Sequence, residues 1–139
     1  MPHFTLPVGP NGPVLTAVVA VSQERNAALV AAGKSVPKPV PVTALVDTGA
    51  STTCVDPSVL TALSLTPTGI VSLSTPSTGE TPHQAEQFDA ALIIPAPQGP
   101  ALMFRTIPVV ASELLAAQGF HALIGRDILD QCLFFYNAP

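Results

Sequence analysis

The sequence predicts a mostly-β domain with two or three short helices, and three observations point there. Sixteen prolines and nine glycines cut the 139 residues into short segments, which suits strands better than long helices. Between the breaks lie β-branched-rich apolar runs such as Val14 to Val21 (VLTAVVAV). The chain is 47% hydrophobic, enough for a packed core, and its length fits one domain by the prior of roughly 100–200 residues. No repeat, low-complexity tract or heptad interrupts this picture.

The elements follow in order. Val14 to Val21 reads as a strand after the turn signal Gly9-Pro10-Asn11-Gly12-Pro13. Gln23 to Gly33 reads as a short helix ending at Gly33, a residue suited to the position after a helix. Val36 to Pro41 is a proline-rich connector, too extended to be helical. Val42 to Val46 is a strand, and Asp56-Pro57 supplies an N-cap and an N1 proline for a helix to about Leu63. Ile70 to Leu73 and Gln87 to Ile94 read as strands joined by a polar arm, Ser74 to Glu86, with Gly79 near its tip. Leu102 to Val110 is a strand with Pro108 as a breaker near its end, and Ala111 to Gln118 allows one or two helical turns. Asp127 to Cys132 carries a helical pattern, and Leu133 to Tyr136 reads as an aromatic-rich terminal strand.

Charge is scarce. Charged residues make up 10%, against ~25% in typical soluble domains. Five Lys plus Arg against nine Asp plus Glu give a net charge of −4. Five scattered cations cannot build the basic stripe of a nucleic-acid binder. No unbroken apolar run of ~18 residues is present, so no membrane span is expected. The N-terminus lacks the basic start and apolar stretch of a signal peptide. The expectation is a soluble, cytoplasmic domain.

Cys54 and Cys132 stand 78 residues apart with no C-x-x-C and no His pair, which is the wrong spacing for zinc. They read as two buried free thiols. His3, His83 and His121 are equally scattered, so neither a metal nor another cofactor is expected.

The segment that carries chemistry is Ala44-Leu45-Val46-Asp47-Thr48-Gly49-Ala50-Ser51. An apolar strand runs straight into an Asp, a hydroxyl residue, Gly and a small residue. A carboxylate at a buried strand end is costly unless donors surround it or it serves a reaction. Gly49 permits a tight turn whose N–H can reach that carboxylate, and the Thr48 hydroxyl is a second donor. The tripeptide alone also fits a plain turn. A second segment, Ala122-Leu123-Ile124-Gly125-Arg126-Asp127-Ile128-Leu129, sets three apolar residues against a Gly, a charged pair and an apolar helical start.

In this order and spacing, the two segments resemble the retropepsin-like aspartic proteases, over about residues 40–137. The resemblance implies a closed β-barrel lobe with one or two short helices, homodimeric, of the kind found in retroviral proteases and their bacterial relatives. It implies that Asp47 is catalytic, that Thr48, Gly49 and Ala50 form the active-site loop, and that Gly125 packs behind it. Arg126 and Asp127 would tie the loop to the following helix; a solvated helix start is the plainer alternative. Residues 68–86 take the place of the flap, with Ser77-Thr78-Gly79-Glu80 at its tip, over a peptide held as a strand. Phe4-Thr5-Leu6 and Leu133 to Tyr136 would seal the dimer edge.

Three departures stand out. Retroviral members carry acidic residues where this chain has Ser51-Thr52, which removes the usual partner of Arg126. The flap holds Pro76 and Pro82 in place of a glycine-rich tip, and residues 23–36 read as an insertion. Together they favour the bacterial type.

Only one Asp-Thr-Gly occurs in the chain. Amide hydrolysis without a covalent intermediate needs one group to deprotonate water and another to polarise the carbonyl. Two close carboxylates sharing a proton do both. The expected function is therefore a homodimeric aspartic endopeptidase with Asp47 from each subunit and a peptide or protein substrate. A dimeric peptide-binding module of the same fold, without efficient hydrolysis, is the second reading. A phosphate-binding turn, as in actin-like ATPases, is the third, and it is hard to fit into 139 residues. No Lys or Arg lies between Lys38 and Arg105, the stretch holding loop and flap.

Overall fold

The first strand alternates as the sequence demands. In β1 (Val14–Val21), Leu15, Ala17, Val19 and Val21 face the interior while the residues between them are exposed or half-buried. The computed structural model describes residues 3, 5–73, 82–97 and 99–137. Ser22 then caps α1 (Gln23–Ala31) by accepting the Arg25 N–H on its hydroxyl at 3.2 Å. The α1 helix ends just before Gly33, whose φ of +67° suits a residue without a side chain. No residue of α1 is buried, so residues 23–31 add nothing to the core.

The chain continues through β2 (Val40–Val46), β3 (Cys54–Val55) and α2 (Pro57–Ala62). It then forms β4 (Gly69–Leu73), β5 (His83–Ile94), β6 (Leu102–Ala111), α3 (Leu114–Ala117), β7 (Ala122–Ile124) and α4 (Arg126–Leu129). The strands hydrogen-bond in the order β1-β2-β7-β3-β6-β5, and β5 pairs back onto β1. That closes a six-stranded barrel and removes its edges, with β4 added outside along β5. A register shift between Ala90 and Leu92 bends β5. Its first half pairs with β4, and its second half closes onto β1 through Ala90–Ile93. Leu92, Ile94, Val109, Leu63, Ile124 and Ile128 fill the interior with the β1 residues.

Several expectations are corrected. The β2 strand begins at Val40, because Val40 and Pro41 pair with Val19 and Val18 despite the preceding prolines. The β5 strand begins at His83, so residues 83–86 belong to a strand and not to the polar arm; pairing with β4 overrides their polar composition. The β6 strand runs through Pro108 to Ala111, paired with β5 along its length. The α4 helix begins one residue early, at Arg126, and stops at Leu129. Leu133 to Tyr136 is not a strand: none of the described residues pairs with it, and Leu133 and Phe135 are each 83% exposed. Cys132, just past the end of α4, is exposed, and Cys54 is half-buried, so neither thiol is the fully buried one expected. The expected flap tip (Ser77, Thr78, Gly79, Glu80) and Phe4 lie outside the described residues. Among the described residues no helix is long and apolar enough to cross a membrane.

Candidate active site

Topology places the two chemical segments side by side. The β2 and β7 strands run parallel in the barrel, with Ala44, Leu45 and Val46 opposite Ala122, Leu123 and Ile124. Both strands therefore end at the same rim, β2 delivering Asp47 and β7 delivering Gly125. The Asp47 N–H extends this ladder by one bond, donating to the Ile124 carbonyl at 2.9 Å.

Past Asp47 the chain turns sharply. The Ala50 N–H donates to the Asp47 carbonyl at 3.2 Å, and the Gly49 N–H donates to Asp47 Oδ1 at 2.8 Å. A Cβ on Gly49 would lie 3.1 Å from that oxygen, so the missing side chain permits the close approach. Asp47 is half-buried, while Thr48 and Gly49 are exposed. Among the described residues the carboxylate has one internal donor, and it stands partly exposed at the barrel rim.

The turn rests on the β7–α4 junction. The Arg126 N–H donates to the Ala50 carbonyl at 2.8 Å, and Arg126 Nη1 donates to the Thr48 carbonyl at 3.0 Å. With Ser51 and Thr52 in place of acidic residues, the guanidinium takes a backbone carbonyl as its partner. Gly125 is buried directly behind the turn. A Cβ there would sit 2.7 Å from the Thr52 carbonyl carbon, 2.8 Å from its oxygen and 2.9 Å from the Ala50 oxygen. Only glycine lets the two segments approach so closely.

Asp127 is no solvated helix start. Its Oδ2 accepts the Thr53 N–H at 3.0 Å. Its Oδ1 accepts the Thr53 hydroxyl at 2.7 Å and the Ile128 N–H at 2.9 Å. Thr53 is fully buried, and its Oγ1 also accepts the Gly125 N–H at 3.2 Å. Sequence reasoning missed Thr53, because Ser51, Thr52 and Thr53 look alike as turn hydroxyls. Position alone separates them: Thr53 is the last residue before β3.

Cys54 opens β3 beside this cluster, its Sγ directed at the Thr52 carbonyl at 3.5 Å. Burial, reinforced by the negative charges of Asp127 and Asp47, pushes its thiol up to about 11. At neutral pH it therefore stays protonated. At the start of α2, Asp56 accepts from the Ser58 hydroxyl at 2.6 Å and the Ser58 N–H at 2.9 Å. The Ser58 hydroxyl bond, chiefly, holds its carboxyl below the usual range. The Asp56 N–H donates to the His121 carbonyl at 2.8 Å, joining that cap to the start of β7. Among the described residues, no group of three or more His, Cys, Asp or Glu is placed to hold a metal ion.

A closed six-stranded barrel with an Asp-Thr-Gly turn at one rim, seated on a glycine of a neighbouring strand, is an acid-protease lobe. The sequence agrees: the family profile described as aspartyl protease matches residues 33–127, roughly two-thirds of the chain. The chain belongs to that family, the retropepsin-like aspartyl proteases. Among solved structures it is similar to the solution structure of the Simian Foamy Virus (mac) protease. The two share 18% identity with a TM-score of 0.43, over 68% of this chain and 89% of that one. No curated protein matches the chain.

Proposed function

We propose that two copies of this chain form an aspartic endopeptidase in which Asp47 from each subunit meets at a two-fold axis. The observation that carries the reading is the Asp47 turn itself. A lone Asp-Thr-Gly carboxylate stands half-buried at the barrel rim, held by the Gly49 N–H, in a chain of the aspartyl protease family. One such carboxylate is half of the machinery. Two facing carboxylates cannot both ionise at ~3 Å, so they share a proton. The ionised one takes a proton from a bound water, which attacks the peptide carbonyl; the protonated one donates to the carbonyl oxygen. Collapse of the tetrahedral intermediate returns a proton to the leaving amine. Activity is then highest at acidic to mildly acidic pH, where the pair holds one proton.

The other residues take supporting parts. Gly49 fixes the Asp47 carboxylate, Gly125 and Arg126 seat the turn, and the Thr48 hydroxyl, exposed at the rim, faces the partner copy. The exposed Leu133, Phe135 and Tyr136 give the second copy an apolar surface to cover, on which the other chain's terminus pairs as a strand. Two surface hollows among the described residues, of about 400 and 270 Å³, are lined by residues outside 47–53. In this reading the substrate cleft at Asp47 is completed by the second lobe.

The test is cleavage of an unfolded protein by the purified chain between about pH 3 and pH 7, beside Asp47→Asn. Asn keeps an oxygen for the Gly49 N–H but cannot act as the base. Cleavage lost in Asp47→Asn, with dimerisation and melting temperature retained, is the expected result. A wild-type dimer that binds peptides and cuts none would replace this reading with the binding module.

A further inference from the structure

We propose that Thr53 is a positioning residue for this reaction: its buried hydroxyl latches the segment carrying Asp47 onto the β7–α4 junction. The inference rests on the function proposed above and deepens it. Segment 47–53 is pinned at its near end by the Asp47 N–H on Ile124 and at its middle by the two Arg126 bonds. Its far end is held by Thr53. That residue has no exposed surface, and all its polar atoms are engaged: Oγ1 with Asp127 and Gly125, the N–H with Asp127, and the carbonyl with the Val110 N–H at 3.0 Å.

The chemistry fixes the direction of each bond. A carboxylate only accepts, so the Thr53 hydroxyl proton must go to Asp127, which leaves its lone pairs for the Gly125 N–H. The Thr53 N–H and O–H form a pair of parallel donors, and the two Asp127 oxygens answer them one each. No other residue type reproduces the set except serine. Valine matches the shape but strands the Gly125 N–H in a buried site. Asparagine at 127 would offer one acceptor oxygen and turn a donor toward a donor. Among the described residues the Gly49 N–H is the donor that holds the Asp47 carboxylate in this turn, so its position depends on how the segment is pinned.

The experiment compares Thr53→Val, Thr53→Ser and Asp127→Asn in the full chain. Peptide cleavage is resolved into kcat and KM, and hydrogen exchange is followed at the Arg126 amide, which seats the turn on the junction. In Thr53→Val, kcat falls about ten- to hundredfold while KM changes less than about threefold, and Arg126 exchange accelerates at least about tenfold. Thr53→Ser stays within about threefold of the wild type on every measure. If Thr53→Val does not fold, Asp127→Asn, which keeps the shape, is held to the same criterion. Wild-type kcat in the variant lacking the hydroxyl overturns the inference, as does a serine variant as impaired as valine. A wild-type chain that cuts nothing overturns the proposed function instead, and the Arg126 exchange comparison then decides the latch by itself.

Discussion

Replacing Gly125 by alanine adds one methyl group where the β7–α4 junction backs onto the turn. Gly125 has φ −92° and ψ −175°, ordinary extended values, so alanine meets no backbone strain there. The whole cost is steric. The new Cβ would stand 2.7 Å from the Thr52 carbonyl carbon, where non-bonded carbons settle at about 3.5 Å, so something must move by about 0.8 Å. The atoms in the way are backbone, and hydrogen bonds tether them on both sides: Ala50 O to the Arg126 N–H and Thr53 Oγ1 to the Gly125 N–H. Overpacking of this kind costs about 1–3 kcal/mol. Weakening one of the tethers adds about 1 kcal/mol. The expected loss is about 2–4 kcal/mol, or roughly 10 °C in melting temperature for a chain of this size. A urea titration with an unchanged slope and a lowered midpoint measures it. Because the turn bearing Asp47 is what must give way, cleavage falls further than the folded fraction does, by up to about a hundredfold. Stability within about 0.5 kcal/mol of the wild type would refute the reasoning, since it would mean that the turn yields freely.

Three further outcomes are expected. Phe135→Ser removes an 83% exposed ring from the surface assigned to the partner copy; counted once in each subunit, it weakens dimerisation about a hundredfold, which sedimentation measures. Cys54 has a folded value of about 11 against an ordinary 9.0, so the folded chain holds that proton more tightly than the unfolded one. Its contribution to stability is complete below pH 9 and drains away between about pH 9 and pH 11, a decline that Cys54→Ser flattens in a pH series of urea midpoints. The Asp56 carboxyl is depressed below its ordinary 3.8, so its contribution is present above that pH and is lost on further acidification. Asp56→Ala costs about 1 kcal/mol near neutral pH by thermal melting, and Asp56→Asn, which still caps α2, costs far less.

Much of the fold was legible because short-range chemistry dictated it. The alternation in Val14–Val21, the Asp56-Pro57 helix start and the Gly33 stop each depend on residues within a turn or two, and each stands within a residue or two of its expected place. The strands β3 and β7 were harder to see. Two and three residues long, they carry no periodicity, and they are strands because β2 and β6 lie beside them. The same dependence on a partner explains the opposite error at Leu133 to Tyr136, whose composition suits a strand but which pairs with none of the described residues.

For the site, the order and spacing of the two motifs, through the family they resemble, pointed to Asp47, Gly49, Gly125, Arg126 and Asp127, whereas the Asp-Thr-Gly tripeptide alone also fits a plain turn. What the chain alone left blank is the work of Thr53, the partner that Asp127 takes. Ser51, Thr52 and Thr53 are equivalent on paper. They become different when β2 and β7 align in parallel and bring residues 47–53 against 124–127, burying one hydroxyl between an N–H and a carboxylate. Hydrogen bonds between residues more than seventy positions apart have no local signature. They exist because a closed barrel leaves each rim one set of neighbours.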